Sequence, residues 1–281
     1  MINLMPIGGL CNRLRAMESA IRLARECDVG LSVYWMIEAG AMLQPFSDLF
    51  ELYPTGFRLH DMRHYGPYSR VLFSRLNPFR YYANGCNEYV RACKTNVFAR
   101  MCAAHITWNE FYVRGADRDY SWLKPKRHLQ DRVDELYEKI GPNAIGIHIR
   151  RTDNKWSIEK SPIGLFKWRI SKEIENDSGV RFFLASDDIE TKRMLVREFG
   201  DVIVTRKDVK GRFERDGTED AVIDLMLLSK MRSVWGSFGS SFSVVASQIR
   251  GIPLEVLKLD SAGSIHDERT NWGFPQTEQC G

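Results

Sequence analysis

AIGIHIRRTDN, residues 144 to 154, is the stretch on which the reading of the fold turns. Ile145, Ile147 and Ile149 alternate with Gly146 and His148, and the run stops abruptly at Arg150, Arg151, Thr152 and Asp153. A short apolar run bounded by charge reads as a buried strand that ends at a polar mouth. In open α/β sheets, ligands collect beyond the carboxyl ends of the strands. Paired arginines there suit a phosphate or carboxylate, which a guanidinium grips with two N–H donors. A salt-bridged surface loop would use the same residue types, so the neighbouring segments have to decide.

Downstream, the pattern alternates. A helix over 163–176 leads to the strand VRFFLAS (180–186), which ends in Asp187 and Asp188. A helix over 189–199, the strand DVIVT (201–205), a basic loop, a helix over 218–231, the strand SVWGS and a helix over 241–250 follow, and PLEVLKL (253–259) closes the series. Strands and helices alternating on short connections predict a parallel, doubly wound α/β sheet. Upstream, residues 2–7 read as a strand, Gly8 and Gly9 as a tight turn, and 12–27 as a helix with Asn12 at its N-cap. LSVYWM (31–36) and FRLHD (57–61) read as further strands, with FSDLFEL (46–52) as a short amphipathic turn or helix between them. YSWLKPKR (120–127) is the best linker candidate, and the helix after it ends at Gly141-Pro142. The expected division is therefore an N-terminal Rossmann-like domain over 1–125 and a C-terminal one over 126–281.

The totals bound the function. The 281 residues suffice for two α/β domains. A formal net charge of +4 suits an anionic substrate but is too weak to argue nucleic-acid binding. The six cysteines form no CxxC pair and no zinc-ligand spacing; free thiols are expected, with Cys86 and Cys93 as bridge partners in an oxidising compartment. No apolar run reaches the roughly 20 residues of a membrane span, and the opening INLMPIGGLCNR is not built like a signal peptide, so a soluble cytoplasmic protein is the expectation. Between Arg58 and Arg100, seven arginines and Lys94 face only Asp61 and Glu88, interleaved with aromatic residues. Such a segment lines half-buried surface, or contacts an acceptor by stacking.

Four places in the second half set polar groups at the ends or in the middle of apolar runs. His148 stands two residues before Arg150, on the same strand face. Asp188 reads as the N-cap of the next helix, leaving Asp187 as the polar group of that strand end. Asp224 interrupts AVIDLMLL, and a carboxylate buried there needs a partner, either a structural cation or a ligand donor such as a nucleobase N–H edge. GSFGSSFSVVA (236–246) places Ser240, Ser241 and Ser243 at a strand-to-helix junction, where hydroxyls and free backbone N–H groups suit phosphate.

In their order and spacing, HIRRTDN, LASDD, the IDLMLLS helix and GSFGSSFSVVA resemble the donor-binding half of the inverting α-1,6-fucosyltransferase and protein O-fucosyltransferase superfamily, which includes the bacterial nodulation fucosyltransferase. GGLCNRLRAM resembles that superfamily's N-terminal motif. The resemblance implies a GT-B architecture, two Rossmann-like domains facing a cleft, and metal-independent inverting transfer from GDP-fucose to a glycan or glycoconjugate acceptor, with no cofactor. It places Arg150 on the β-phosphate, His148 and Asp224 on guanine, Ser240 and Ser241 on phosphate, and Asn12 and Arg13 toward the sugar or diphosphate, with Asp187 also in the donor site. The α-1,6 enzymes carry their assigned base ten residues after the motif histidine, where this chain has Ile158; Glu159 and Asp153 are the two carboxylates left for that role. Another nucleotide sugar, for example UDP-xylose, would keep the same fold. A non-catalytic module that binds RNA or an anionic glycan would use 58–100 and have no need of Arg150.

Overall fold

The computed structural model describes residues 1–37, 42–52, 56–63, 80–81, 104–108, 118–206 and 215–259. Most of the arginine-rich segment 58–100, including Cys86 and Cys93, lies outside them, as does most of the basic loop after Thr205. The chain divides into two compact units, Met1–Asp131 with Lys210–Ile223, and Arg132–Val209 with Asp224–Gly281. Both are mixed α/β with parallel sheets.

In the first unit β1 (Ile2–Pro6), β2 (Leu31–Met36), β3 (Phe57–Met62), β4 (Arg80–Tyr81) and β5 (Ala104–Trp108) form a five-stranded sheet ordered β3-β2-β1-β5-β4. All of β1 and β2 is buried, as expected of strands covered on both faces. Helix α1 (Leu10–Cys27) packs on this sheet, and Leu14, Met17, Ile21 and Ala24 are buried as the spacing required. The helix begins two residues earlier than expected, with Gly9 and not Asn12 at its N-cap. The reason lies in the turn: Gly8 takes φ +84°, open to glycine at little cost, and turns the chain into the helix before Asn12. Asn12 instead accepts a hydrogen bond from Arg15 Nη2 at 3.0 Å.

A short helix α2 (Phe46–Leu49) receives its cap from β3, because the Asp61 carboxylate accepts from the backbone of Phe46 at 2.7 Å and of Ser47 at 3.1 Å. The expected linker is no loose connection. Tyr120, Trp122 and Leu123 are buried, Trp122 meets Phe57 edge-on at 6.0 Å, and Pro125 bridges to Phe50. Proline and flanking charges marked a chain break, but the apolar area of Tyr120 and Trp122 ties the segment to the first unit's core.

The second unit holds β6 (Ile145–Ile149), β7 (Phe182–Ser186), β8 (Ile203–Val204), β9 (Ser233–Ser237) and β10 (Leu254–Leu257) in the order β10-β9-β6-β7-β8. Taken by rank along the chain this is 3-2-1-4-5, the doubly wound order whose switch point falls between its first and fourth strands, here β6 and β9. The second unit's helices are α4 (Lys155–Lys160), α5 (Ile163–Asn176), α6 (Ile189–Phe199) and α8 (Ser241–Arg250), while α3 (Arg127–Ile140) and α7 (Arg215–Ser229) are each divided between the two units, α3 at Asp131 and α7 at Ile223. The bounds of α5, α6 and α8 match expectation, whereas α4 was not foreseen. Ile145, Ile147, Ile149, Phe166, Phe182, Leu184 and Trp235 make the core, each large side chain contributing about 1.5–3 kcal/mol by burial. Two glycines let helices approach the sheet closely: a Cβ on Gly146 would press on Leu228 of α7, and one on Gly236 would run into Ser243 of α8. Among the described residues no helix is long and apolar enough to cross a membrane.

Candidate functional site

The second unit's polar residues gather at the carboxyl ends of β6, β7 and β9, around its switch point. The backbone leaves β6 under tight control. Arg150 N donates to Ser237 Oγ on β9 at 3.1 Å, and Arg151 N donates to Asp187 Oδ1 at the end of β7 at 2.8 Å. Thr152 Oγ1 donates to the other Asp187 oxygen at 2.7 Å. Asp187 thus seams the two strand ends together, while Asp188 caps α6 by accepting from Thr191 N at 2.9 Å, as its position foretold.

The chain then enters α4, which pins the β9–α8 loop. Asn154 caps the helix by accepting from Ser157 N at 3.2 Å. Ser157 Oγ donates to Phe238 O at 2.5 Å, and Phe238 N donates to Ser161 Oγ at 2.8 Å.

Arg150 turns its Nε and Nη2 onto one oxygen, Asp153 Oδ1, at 2.9 and 2.6 Å, and remains about a quarter exposed. Arg151 donates from Nη1 to the Ser161 carbonyl at 3.4 Å, which makes it a structural partner of the loop. His148 is buried, stacked on Phe242 with ring centroids 4.7 Å apart, and its Nδ1 lies 3.2 Å from Ser240 Oγ. Burial lowers its pKa from 6.5 to about 4; Arg150 and Lys192 push the same way, and Asp187 and Asp224 oppose. The ring is therefore neutral at pH 7 and can recognise a ligand by hydrogen bonding.

Ser240 holds the N-cap position of α8 but makes no side-chain cap bond. Its hydroxyl goes to His148 instead. The helix N-terminus, where N–H groups and the helix dipole favour an anion, is thus uncapped by Ser240, with Ser241 in its first turn.

Asp224 is 7% exposed, and the partner its burial demanded is Arg206, whose Nε and Nη2 reach the two carboxylate oxygens at 2.6 and 3.2 Å. Sequence reasoning left open whether that partner was a cation or a ligand; here it is a cation. Phe242 and Arg206 are the site residues it missed. Phe242 stands in plain view within GSSF, but only the meeting of β6 and β9 puts it on His148.

The remaining expected residues divide. Glu159 is exposed on α4, and Ser240 is buried beside His148. Arg13, in the first unit, is fully buried: Nε donates to Gly8 O at 2.7 Å, Nη1 donates to Met36 O at 2.6 Å, and the guanidinium lies 4.9 Å from the Trp35 ring. It clasps the Gly8–Gly9 turn to the end of β2 and is buried there. Among the described residues no group of three or more His, Cys, Asp or Glu side chains could hold a metal ion.

A doubly wound parallel unit with an arginine, serine hydroxyls and a helix N-terminus at its switch point has the construction of a Rossmann-like domain. No family model matches the chain, and no curated protein matches it in sequence. Solved structures do match its fold. The chain is similar to the NodZ α-1,6-fucosyltransferase in a crystal soaked with GDP-fucose, with TM-score 0.61 at 16% identity over 94% of this chain and 97% of that one. Fucosyltransferase NodZ from Bradyrhizobium aligns with TM-score 0.60 at 18% identity over the same shares. POFUT1 in complex with GDP gives TM-score 0.57 at 10% identity, over 91% of this chain and 97% of that one. At these identities the likeness is one of fold: this chain has the fold of those fucosyltransferases.

Proposed function

We propose that the protein is a metal-independent inverting glycosyltransferase that moves fucose from GDP-fucose to a carbohydrate or glycoconjugate acceptor. The observation that carries this reading is Arg150, at the switch point of a fold shared with fucosyltransferases crystallised with GDP or GDP-fucose. The α8 N-terminus at the end of β9 supports it.

In an inverting displacement the acceptor oxygen attacks the anomeric carbon on the face opposite the leaving diphosphate. As the C1–O bond breaks, negative charge grows on the β-phosphate. Arg150 takes up that charge with its Nε–Nη2 edge, and the N–H groups of α8 assist, a preorganised electrostatic stabilisation. Neutral His148, held by Phe242 and Ser240, and Asp224, held by Arg206, recognise the base. A carboxylate oxygen has two lone pairs, so Asp224 can keep Arg206 and still accept from the N1–H and N2–H edge of guanine.

The acceptor proton has to go to a carboxylate across the anomeric carbon from the diphosphate. Asp153, in contact with the leaving group's own arginine, is on the wrong side for that task, so exposed Glu159 is the better base. The test is GDP release from GDP-fucose in the presence of candidate acceptor glycans, with Arg150→Ala as the control. A folded Arg150→Ala variant loses activity by about 10²-fold or more, the usual scale for one electrostatic donor. Undiminished turnover in that variant sinks the reading.

A further inference from the structure

Three carboxylates follow the ends of β6 and β7, Asp153 after the first and Asp187 and Asp188 after the second, and each has a different task. Asp187 is spent on the Arg151 backbone and the Thr152 hydroxyl, and Asp188 on the cap of α6. Asp153 is the one that reaches Arg150, and it does so in a telling manner. Nε and Nη2, the two-donor edge that grips a phosphate oxyanion most strongly, both point to the single atom Asp153 Oδ1, at 2.9 and 2.6 Å. The edge best suited to a diphosphate is thus held by an anion of the chain itself.

We propose that Asp153 competes with the diphosphate for Arg150 and thereby sets the affinity for the nucleotide. This rests on the reading of Arg150 as the diphosphate residue. Binding is then an exchange on one guanidinium, carboxylate leaving as phosphate arrives, and product release is the reverse. The backbone around the pair is suited to such an exchange. Arg150 N is tied to Ser237, and Asn154, next to Asp153, caps α4 and reaches Gly239 O at 3.5 Å. The loop is pinned on both sides of an i,i+3 pair, so the exchange needs side-chain rotation and no opening of the loop.

The pair is also weak enough to be displaced. Asp153 is 41% exposed and Arg150 23%, and ion pairs at that exposure are worth little. Asp153 is therefore a positioning residue acting through Arg150, not the base. Its carboxylate adds a second, longer-range cost, because it repels the incoming diphosphate charge in a partly solvated setting.

Calorimetric titration of wild type and Asp153→Asn with GDP and with guanosine tests this. Removing the rival should tighten GDP binding by about 3- to 10-fold, the scale of one partly exposed charge pair, and leave guanosine affinity unchanged, because guanosine has no phosphate to gain from Arg150. Asp153→Ala should behave like Asp153→Asn. If Asp153 merely staples the loop, both ligands bind the variants more weakly; that result, or unchanged GDP affinity in variants that melt like wild type, overturns the inference. If wild type itself fails to bind GDP, the fucosyltransferase reading falls first and this one with it, so the two failures are told apart.

Discussion

Lowering the pH perturbs His148 more directly than any substitution. The imidazole sits near the carboxyl end of the central strand β6, against Phe242 and Ser240, and burial brings its pKa to about 4, from an ordinary 6.5. The groups facing it divide, Arg150 and Lys192 opposing protonation and Asp187 and Asp224 favouring it. Because the folded value lies below the unfolded one, the unfolded chain binds the proton first. Stability from this group is fully present above pH 6.5 and is lost as the pH falls toward 4. At about 1.4 kcal/mol per pH unit, the whole span is worth on the order of 3 kcal/mol, and about 2 kcal/mol of it is gone by pH 5. Urea denaturation of wild type and His148→Asn at pH 7.5 and 5.0 reads the difference: wild type should lose about 2 kcal/mol more than the variant between those pH values. In proton NMR the ring signals missing from His148→Asn should not titrate above pH 5. A His148 ring that titrates near 6.5, or equal acid sensitivity in the two proteins, would refute the reasoning.

Arg206→Ala strands the Asp224 carboxylate in the core and should destabilise the protein by about 3 kcal/mol in urea unfolding, with the double variant Arg206→Ala/Asp224→Leu losing less than the single one; a double-variant loss equal to the sum of the Arg206→Ala and Asp224→Leu losses would show that the pair is not coupled. Gly236→Ala drives a methyl group into Ser243 and should cost about 1–3 kcal/mol, and adding Ser243→Gly should recover part of the loss if the helix approach is the cause. Arg13→Lys removes the two-carbonyl clasp on the Gly8–Gly9 turn and should lower stability by about 1–3 kcal/mol. An unchanged melting temperature for Arg13→Lys would contradict its placement as a buried clasp.

Those substitutions fall where sequence and structure part company. The parallel βα alternation of the second unit was legible because each element is punctuated in the chain: Asp188 starts α6, Gly200 follows it, and Gly251 ends α8. Helix α4 was invisible, since its six residues make too little apolar periodicity to register. Asn12 has the chemistry of an N-cap, but the positive φ of Gly8 moves the helix start ahead of it.

Within the site, Arg150 and Ser240 stand out as polar groups at strand ends, and burial alone showed that Asp224 needed a partner. Which partner was not legible, because Arg206 is 18 residues away in a loop with no periodic signal. The clasp that Arg13 makes was not legible either. Its motif suggested a ligand, and nothing local reveals that Met36 O and Trp35 surround the guanidinium.

The central proposal is that Arg150, just beyond the end of β6, holds a guanosine diphosphate. Isothermal titration of GDP and UDP into wild type and Arg150→Ala tests it most directly. The proposed function predicts GDP binding by wild type, much weaker UDP binding, and a loss of GDP affinity of about 10-fold or more in the variant, the scale of one charge-assisted bidentate contact. Equal affinity for GDP and UDP, or GDP binding that survives Arg150→Ala unchanged, would contradict it.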